Sequence, residues 1–116
     1  MSAFCGAVSA GAGAGGGIAY LLDGSYEAIA ATISNALANI SGMVCDGAKA
    51  SCAAKIASAV EAGILGYQMY KRGQVFEAEA GILGKEIEQT IYNVGRLGRR
   101  GMKLTNEEII KIMVGE

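Results

Sequence analysis

From Cys5 to Leu22 the chain runs for 18 residues without a charged side chain, and glycine and alanine fill most of them. No other feature restricts the fold as strongly. The run is long enough to span a bilayer, but Ile18, Leu21 and Leu22 come only at its end and no basic residue flanks it. Flanking cations are what orient a membrane span, so the sequence predicts no membrane insertion. It predicts instead a buried helix whose Gly11-x-x-x-Gly15 spacing lets another backbone come close. The charge-poor region extends to residue 48, with Asp23, Glu27 and Asp46 its only charged groups. Such a surface needs covering, and a chain of 116 residues with 6% aromatic residues has little to cover it with. The chain therefore reads as part of something larger, or as one that self-associates.

Composition removes several function classes. A chain that is 52% hydrophobic and 18% charged is not disordered. Three cysteines, an odd number, do not make a disulfide-stapled mini-protein. A net charge of −1 gives no electrostatic footprint for nucleic acid. Histidine is absent, which removes the commonest general base and every Ser-His or Cys-His nucleophile pair. Proline is absent too, which favours uninterrupted helices joined by glycine turns. The first basic residue is Lys49, so no basic leader region is visible and a cytoplasmic location is expected.

The apolar periodicity is helical nearly throughout. Tyr26, Ile29, Ile33 and Leu37 form one stripe after an Asp23-Gly24-Ser25 turn in which Ser25 is the expected N-cap. Cys52, Ile56, Val60, Ile64 and Tyr67 form a second, stopped at Lys71-Arg72-Gly73-Gln74. Leu83, Ile87, Ile91, Val94 and Leu97 form a third. Thr105-Asn106-Glu107-Glu108 reads as a capping box with Leu104 and Ile109 as its staple, which starts a last helix near Asn106 and runs it to Val114. Each stripe is expected to pack the core. No run alternates with period two, so the expected fold is all-α: a compact bundle of about five helices, one domain over residues 1–116, with the Gly/Ala-rich first helix buried.

Most motif matches reduce to packing or solvation. Gly11-x-Gly13-x-x-Gly16 spells the dinucleotide fingerprint, but no strand precedes it. The acidic pairs Glu77/Glu79, Glu86/Glu88 and Glu107/Glu108 fall on solvated faces or in a first helical turn. Arg96, Arg99, Arg100 and Lys103 lack interleaved aromatics and read as a solvated helix end. The cysteines remain. Cys45 and Cys52 lie seven residues apart around an Asp46-Gly47 turn, and Cys5 opens the Gly-rich run. They are either three small buried hydrophobes or thiolate ligands. Without histidine they do not complete a four-ligand zinc site. Three thiolates holding a four-iron cluster would leave one iron without a protein ligand, open to act as a Lewis acid.

The string Ser41-Gly-Met-Val-Cys-Asp-Gly-Ala-Lys-Ala-Ser-Cys-Ala-Ala-Lys-Ile56 resembles the signature of the iron–sulfur L-cysteine desulfidase family, relatives of the bacterial L-serine dehydratase alpha chain. Phe4-Cys-Gly-Ala-Val-Ser-Ala-Gly-Ala-Gly-Ala-Gly-Gly-Gly-Ile-Ala-Tyr20 is similar to that family's first cluster cysteine and its Gly-rich helix. Asn93-Val-Gly-Arg-Leu-Gly-Arg-Arg-Gly-Met102, with Thr105 and Glu108-Ile-Ile-Lys-Ile-Met113, resembles the family's C-terminus.

The resemblance implies that Cys5, Cys45 and Cys52 are the three ligands of a [4Fe-4S] cluster. It implies α,β-elimination from L-cysteine or L-serine, giving pyruvate and ammonia. Family members are several times longer, so the chain corresponds to their C-terminal, cluster-ligating portion. The implied partner is the N-terminal catalytic portion of the same enzyme, and with no base recognisable in this chain the isolated polypeptide is expected to be inactive. The charge-poor surface is also a candidate for homo-oligomer formation. The alternative function is a non-catalytic helical interaction module that has lost its cluster.

Overall fold

The computed structural model describes residues 2–116. It contains five α-helices: α1 (Gly6–Leu22), α2 (Tyr26–Ile40), α3 (Ser51–Lys71), α4 (Ile87–Arg96) and α5 (Lys103–Met113). A π-helical stretch, Leu97–Gly101, joins α4 to α5. The all-α expectation holds. The one departure from helix pairing is an isolated antiparallel bridge between Phe4 and Val44. Among the described residues no helix is long and apolar enough to cross a membrane.

The bundle is made by α1, α2 and α3, each packed on the other two, while α4 leans on α2 and α5 adjoins the π-helical stretch. Helix α2 begins as expected: Ser25 Oγ accepts from the Ala28 amide at 3.1 Å, and Asp23 accepts from the Ser25 hydroxyl at 2.6 Å. Helix α3 ends at Lys71, where Gly73 turns the chain with φ of +73°. Helix α1 buries the face formed by Val8, Gly11, Ala12, Gly15, Gly16 and Ala19 and leaves the opposite face exposed. Its Gly11-x-x-x-Gly15 edge meets Ala59-x-x-x-Gly63 of α3. A Cβ on Gly63 would stand 2.6 Å from the Gly11 carbonyl oxygen, and one on Gly15 would stand 2.7 Å from Gly63 Cα. The Gly-rich run is therefore a packing edge, and the fingerprint-like glycines lie inside a helix.

Asn35, 1% exposed, ties α2 to the far end of α3. Its amide nitrogen donates to the carbonyls of Gly66 at 3.0 Å and Gln74 at 3.3 Å, and its oxygen accepts from the Phe76 amide at 3.1 Å. Thr90 does similar work at the start of α4, accepting from the Gly84 amide at 3.0 Å.

Four expectations need correction. The α3 stripe is not its core face: Ile56 is 55% exposed and Ile64 is exposed, while Ala59, Ala62, Gly63 and Gly66 are buried with Tyr67. Small residues win because they bring backbones into contact, and larger side chains at those positions would hold the helices apart. Tyr26, 71% exposed, and Ile91 also leave the core. Leu83 is buried but precedes α4. Thr105 does not cap α5, which begins at Lys103 without a side-chain cap and ends at Met113. The π-helical stretch feeds the chain almost directly into α5, with the Met102 amide bonded to the Leu97 carbonyl at 2.9 Å, so no free helix end is left for Thr105 to cap.

Candidate functional site

The three cysteines lie at one end of the bundle, on segments held by different devices. The Cys5 amide donates to the Met43 carbonyl at 3.0 Å, and the Cys45 amide donates to the Ala3 carbonyl at 2.6 Å. These two bonds flank the Phe4–Val44 bridge and make a minimal two-stranded ribbon. Side chains alternate across such a ribbon, so Phe4 and Val44 share one face while Ala3, Cys5, Met43 and Cys45 share the other. Cys5 stands opposite Met43, which makes Cys45 its diagonal neighbour, with Cα atoms at such positions about 7–8 Å apart. Cys5 is buried, Cys45 half-buried and packed against the same apolar cluster.

Cys52 occupies the first turn of α3, and its thiol donates to the Gly47 carbonyl at 3.5 Å. Lys55, one turn further on, joins this helix to the ribbon. Its ammonium donates to the Val44 carbonyl at 2.7 Å and to Asp46 at 2.9 Å. Lys49 also pairs with Asp46. These two bonds, that from Lys49 foremost and then that from Lys55, lower the Asp46 pKa to about 2. The bond to Asp46 raises the Lys55 pKa, with smaller contributions from the nearby Cys5 and Cys52 side chains. Lys55 thus lies one helical turn after Cys52 and is bonded to the residues on either side of Cys45.

Both helices that begin here begin bare. Cys5 is the N-cap of α1 and Ala50 that of α3; neither offers a side-chain cap, and neither helix has an acid in its first turn. Helix α2, at the other end, has both a serine cap and Glu27. Uncapped N-termini favour negative charge.

All three cysteines are free thiols. Among the described residues no three His, Cys, Asp or Glu side chains are grouped so that they could hold a metal ion. A cluster binds its thiolates at separate corners, and the bare ends of α1 and α3 and the Lys55 ammonium are the groups here that would offset their charge.

Beside Cys5 an open groove of about 690 Å³ runs between the start of α1, α4 and the π-helical stretch. Phe4, Leu37, Ile91 and Val94 make it largely apolar, and Arg99 stands among its lining residues. The Ser2 hydroxyl donates to the Gly98 carbonyl at 2.7 Å, and a Cβ on Gly98 would stand 3.1 Å from that of Phe4. The π-helical stretch therefore seats the ribbon that carries Cys5.

The sequence singled out the cysteines and assigned Lys55 no role. The signal was available: Lys55 follows Cys52 by three residues, a spacing that puts both on one helix face. The acidic pairs and the group Arg96, Arg99, Arg100 and Lys103 are exposed, as expected.

Residues 1–111 match the protein family described as the serine dehydratase alpha chain. The chain is 61% identical over its whole length to a UPF0597 protein of Desulfitobacterium hafniense, 54% identical over 98% of its length to one from Lachnoclostridium phytofermentans, and 50% identical over 98% to one from Finegoldia magna. In each case it spans 27% of the relative's length. No solved structure matches the chain.

Proposed function

The chain belongs to the serine dehydratase alpha-chain family, and from that membership we propose that it is the cluster-ligating portion of a [4Fe-4S]-dependent lyase. The substrate class is L-cysteine or L-serine, the reaction is α,β-elimination to pyruvate and ammonia, and the setting is the cytoplasm. The observation that supports this reading is Lys55, one turn after Cys52 on α3 and bonded to both residues that flank Cys45, whose ribbon also carries Cys5, beside the bare N-termini of α1 and α3.

A bound cluster supplies an open, Lewis-acidic iron. The chain's own residues supply the cradle. Cys5 and Cys45 are thiolate ligands on a ribbon whose spacing the backbone bonds fix, and Cys52 is the third, on α3. The ends of α1 and α3 and the Lys55 ammonium offset the negative charge of three thiolates. The partner is the remainder of the longer polypeptide, which contributes the base that takes the α-proton and most substrate contacts. The chain alone therefore does not turn over.

The test is anaerobic reconstitution with iron and sulfide, read as iron per chain and visible absorption beside a Cys45→Ser variant. About four irons, with a charge-transfer band lost in the variant, are expected. If the longer polypeptide also takes up no stoichiometric iron, the reading gives way to a non-catalytic helical module that has lost its cluster.

A further inference from the structure

We infer that Lys55 is the positioning residue of the three-cysteine set, holding the Cys45 loop in register with Cys52; this inference rests on the cluster reading above. The loop from Ser41 to Ala50 has no helix of its own; Cys45 packs on the apolar cluster, the Cys52 thiol reaches Gly47, and two polar ties hold the residues that flank Cys45. One is the ribbon, which fixes Cys45 relative to Cys5 through the Ala3 carbonyl. The other is Lys55, which bonds the carbonyl of the residue before Cys45 at 2.7 Å and the side chain of the residue after it at 2.9 Å. Lys55 lies on the same helix as Cys52, one turn away, and its side chain is 20% exposed. With the weaker bond from the Cys52 thiol to Gly47, it fixes the relation that the ribbon cannot, that of Cys45 to Cys52. Lys49 pairs with the Asp46 side chain and donates to its carbonyl at 3.4 Å, both on one side of Cys45, so it does not span Cys45 as Lys55 does.

The test uses the 116-residue chain, reduced and free of cluster, as wild type, Lys55→Met, Lys55→Arg and Lys49→Met. Amide hydrogen exchange is read at Cys45, and iron uptake is then measured on reconstitution. Lys55→Met is expected to speed exchange at Cys45 about tenfold, the effect of losing a charge-assisted hydrogen bond, with the middle of α3 unchanged. It should also lower iron uptake. Lys55→Arg should restore most of both, and Lys49→Met should move neither by more than about twofold. Unchanged exchange in Lys55→Met overturns the inference, as does an equal effect of Lys49→Met, or faster exchange with iron uptake at the wild-type level. If neither the wild-type chain nor the longer polypeptide takes up iron, the cluster reading falls instead, while exchange still decides whether Lys55 clamps the loop.

Discussion

Gly15 of α1 lies directly on Gly63 of α3, so close that a Cβ on Gly15 would stand 2.7 Å from Gly63 Cα and one on Gly63 would stand 3.0 Å from Gly15 Cα. This contact is backbone on backbone. It brings the helix carrying Cys5 at its start against the helix carrying Cys52 at its start, so the site's geometry depends on residues that have no side chain.

Gly63→Ala is accordingly expected to destabilise the protein by about 1–3 kcal/mol, the range for overpacking a tight core. Gly13→Ala, in the same Gly-rich run but with nothing within 4 Å of its Cβ position, is expected to stabilise by about 0.5–1 kcal/mol, because alanine loses less backbone entropy in a helix. Urea midpoints of the two variants should move in opposite directions.

Asn35→Ala leaves the Gly66 carbonyl and the Phe76 amide without their partner. The expected loss is about 2–4 kcal/mol, since buried polar groups left unsatisfied cost about 1–3 kcal/mol each. Asn35→Asp should not rescue it, because a carboxylate has no hydrogen to donate to Gly66. Chemical denaturation of both variants checks this.

Hydrogen bonds from the Ser25 side chain, and then from its backbone amide, hold the Asp23 carboxyl below its ordinary 3.8. The sign follows from linkage. Above pH 3.8 the carboxylate is ionised in both folded and unfolded chains and its contribution is complete; that contribution is lost as pH falls through the lower folded value. The Asp23 carboxyl resonance should titrate below 3.8, and Asp23→Asn should flatten the dependence of thermal stability on pH in that acid range. Ser25→Ala should cost about 1 kcal/mol through loss of the α2 cap.

Leu21 is 80% exposed, Leu22 follows it, and α5 has no buried residue while Leu104, Ile112 and Val114 face outward. The isolated chain is expected to self-associate through such surfaces. Leu21→Ser with Leu22→Ser should reduce this in light scattering while changing the unfolding free energy from urea titration by no more than about 0.5 kcal/mol. A wild type that stays monomeric at high concentration would exclude self-association.

The helices and their punctuation were legible in the sequence because they rest on local chemistry. Ser25 caps α2, Gly73 lies just past the end of α3, Cys5 stands at the front of α1 and Cys52 in the first turn of α3, each as residue type and spacing implied. Thr105 misled because its capping pattern was intact while the residue already lies inside α5, which begins at Lys103.

The sequence by itself determined an all-α chain, a Gly-rich edge suited to close packing, and three thiols in a spacing that resembles a cluster signature. Only the tertiary structure decided which helix faces turn inward. Stripes of Ile and Tyr predict burial by hydrophobicity, whereas Gly11, Gly15, Ala59 and Gly63 are buried because they allow two backbones to touch, and Ile56 and Tyr26 are left outside. Tertiary structure alone also brought Lys55 to Val44 and Asp46. The position of a long flexible side chain follows from where the neighbouring loop returns, and that return is set by a ribbon between residues some forty positions apart.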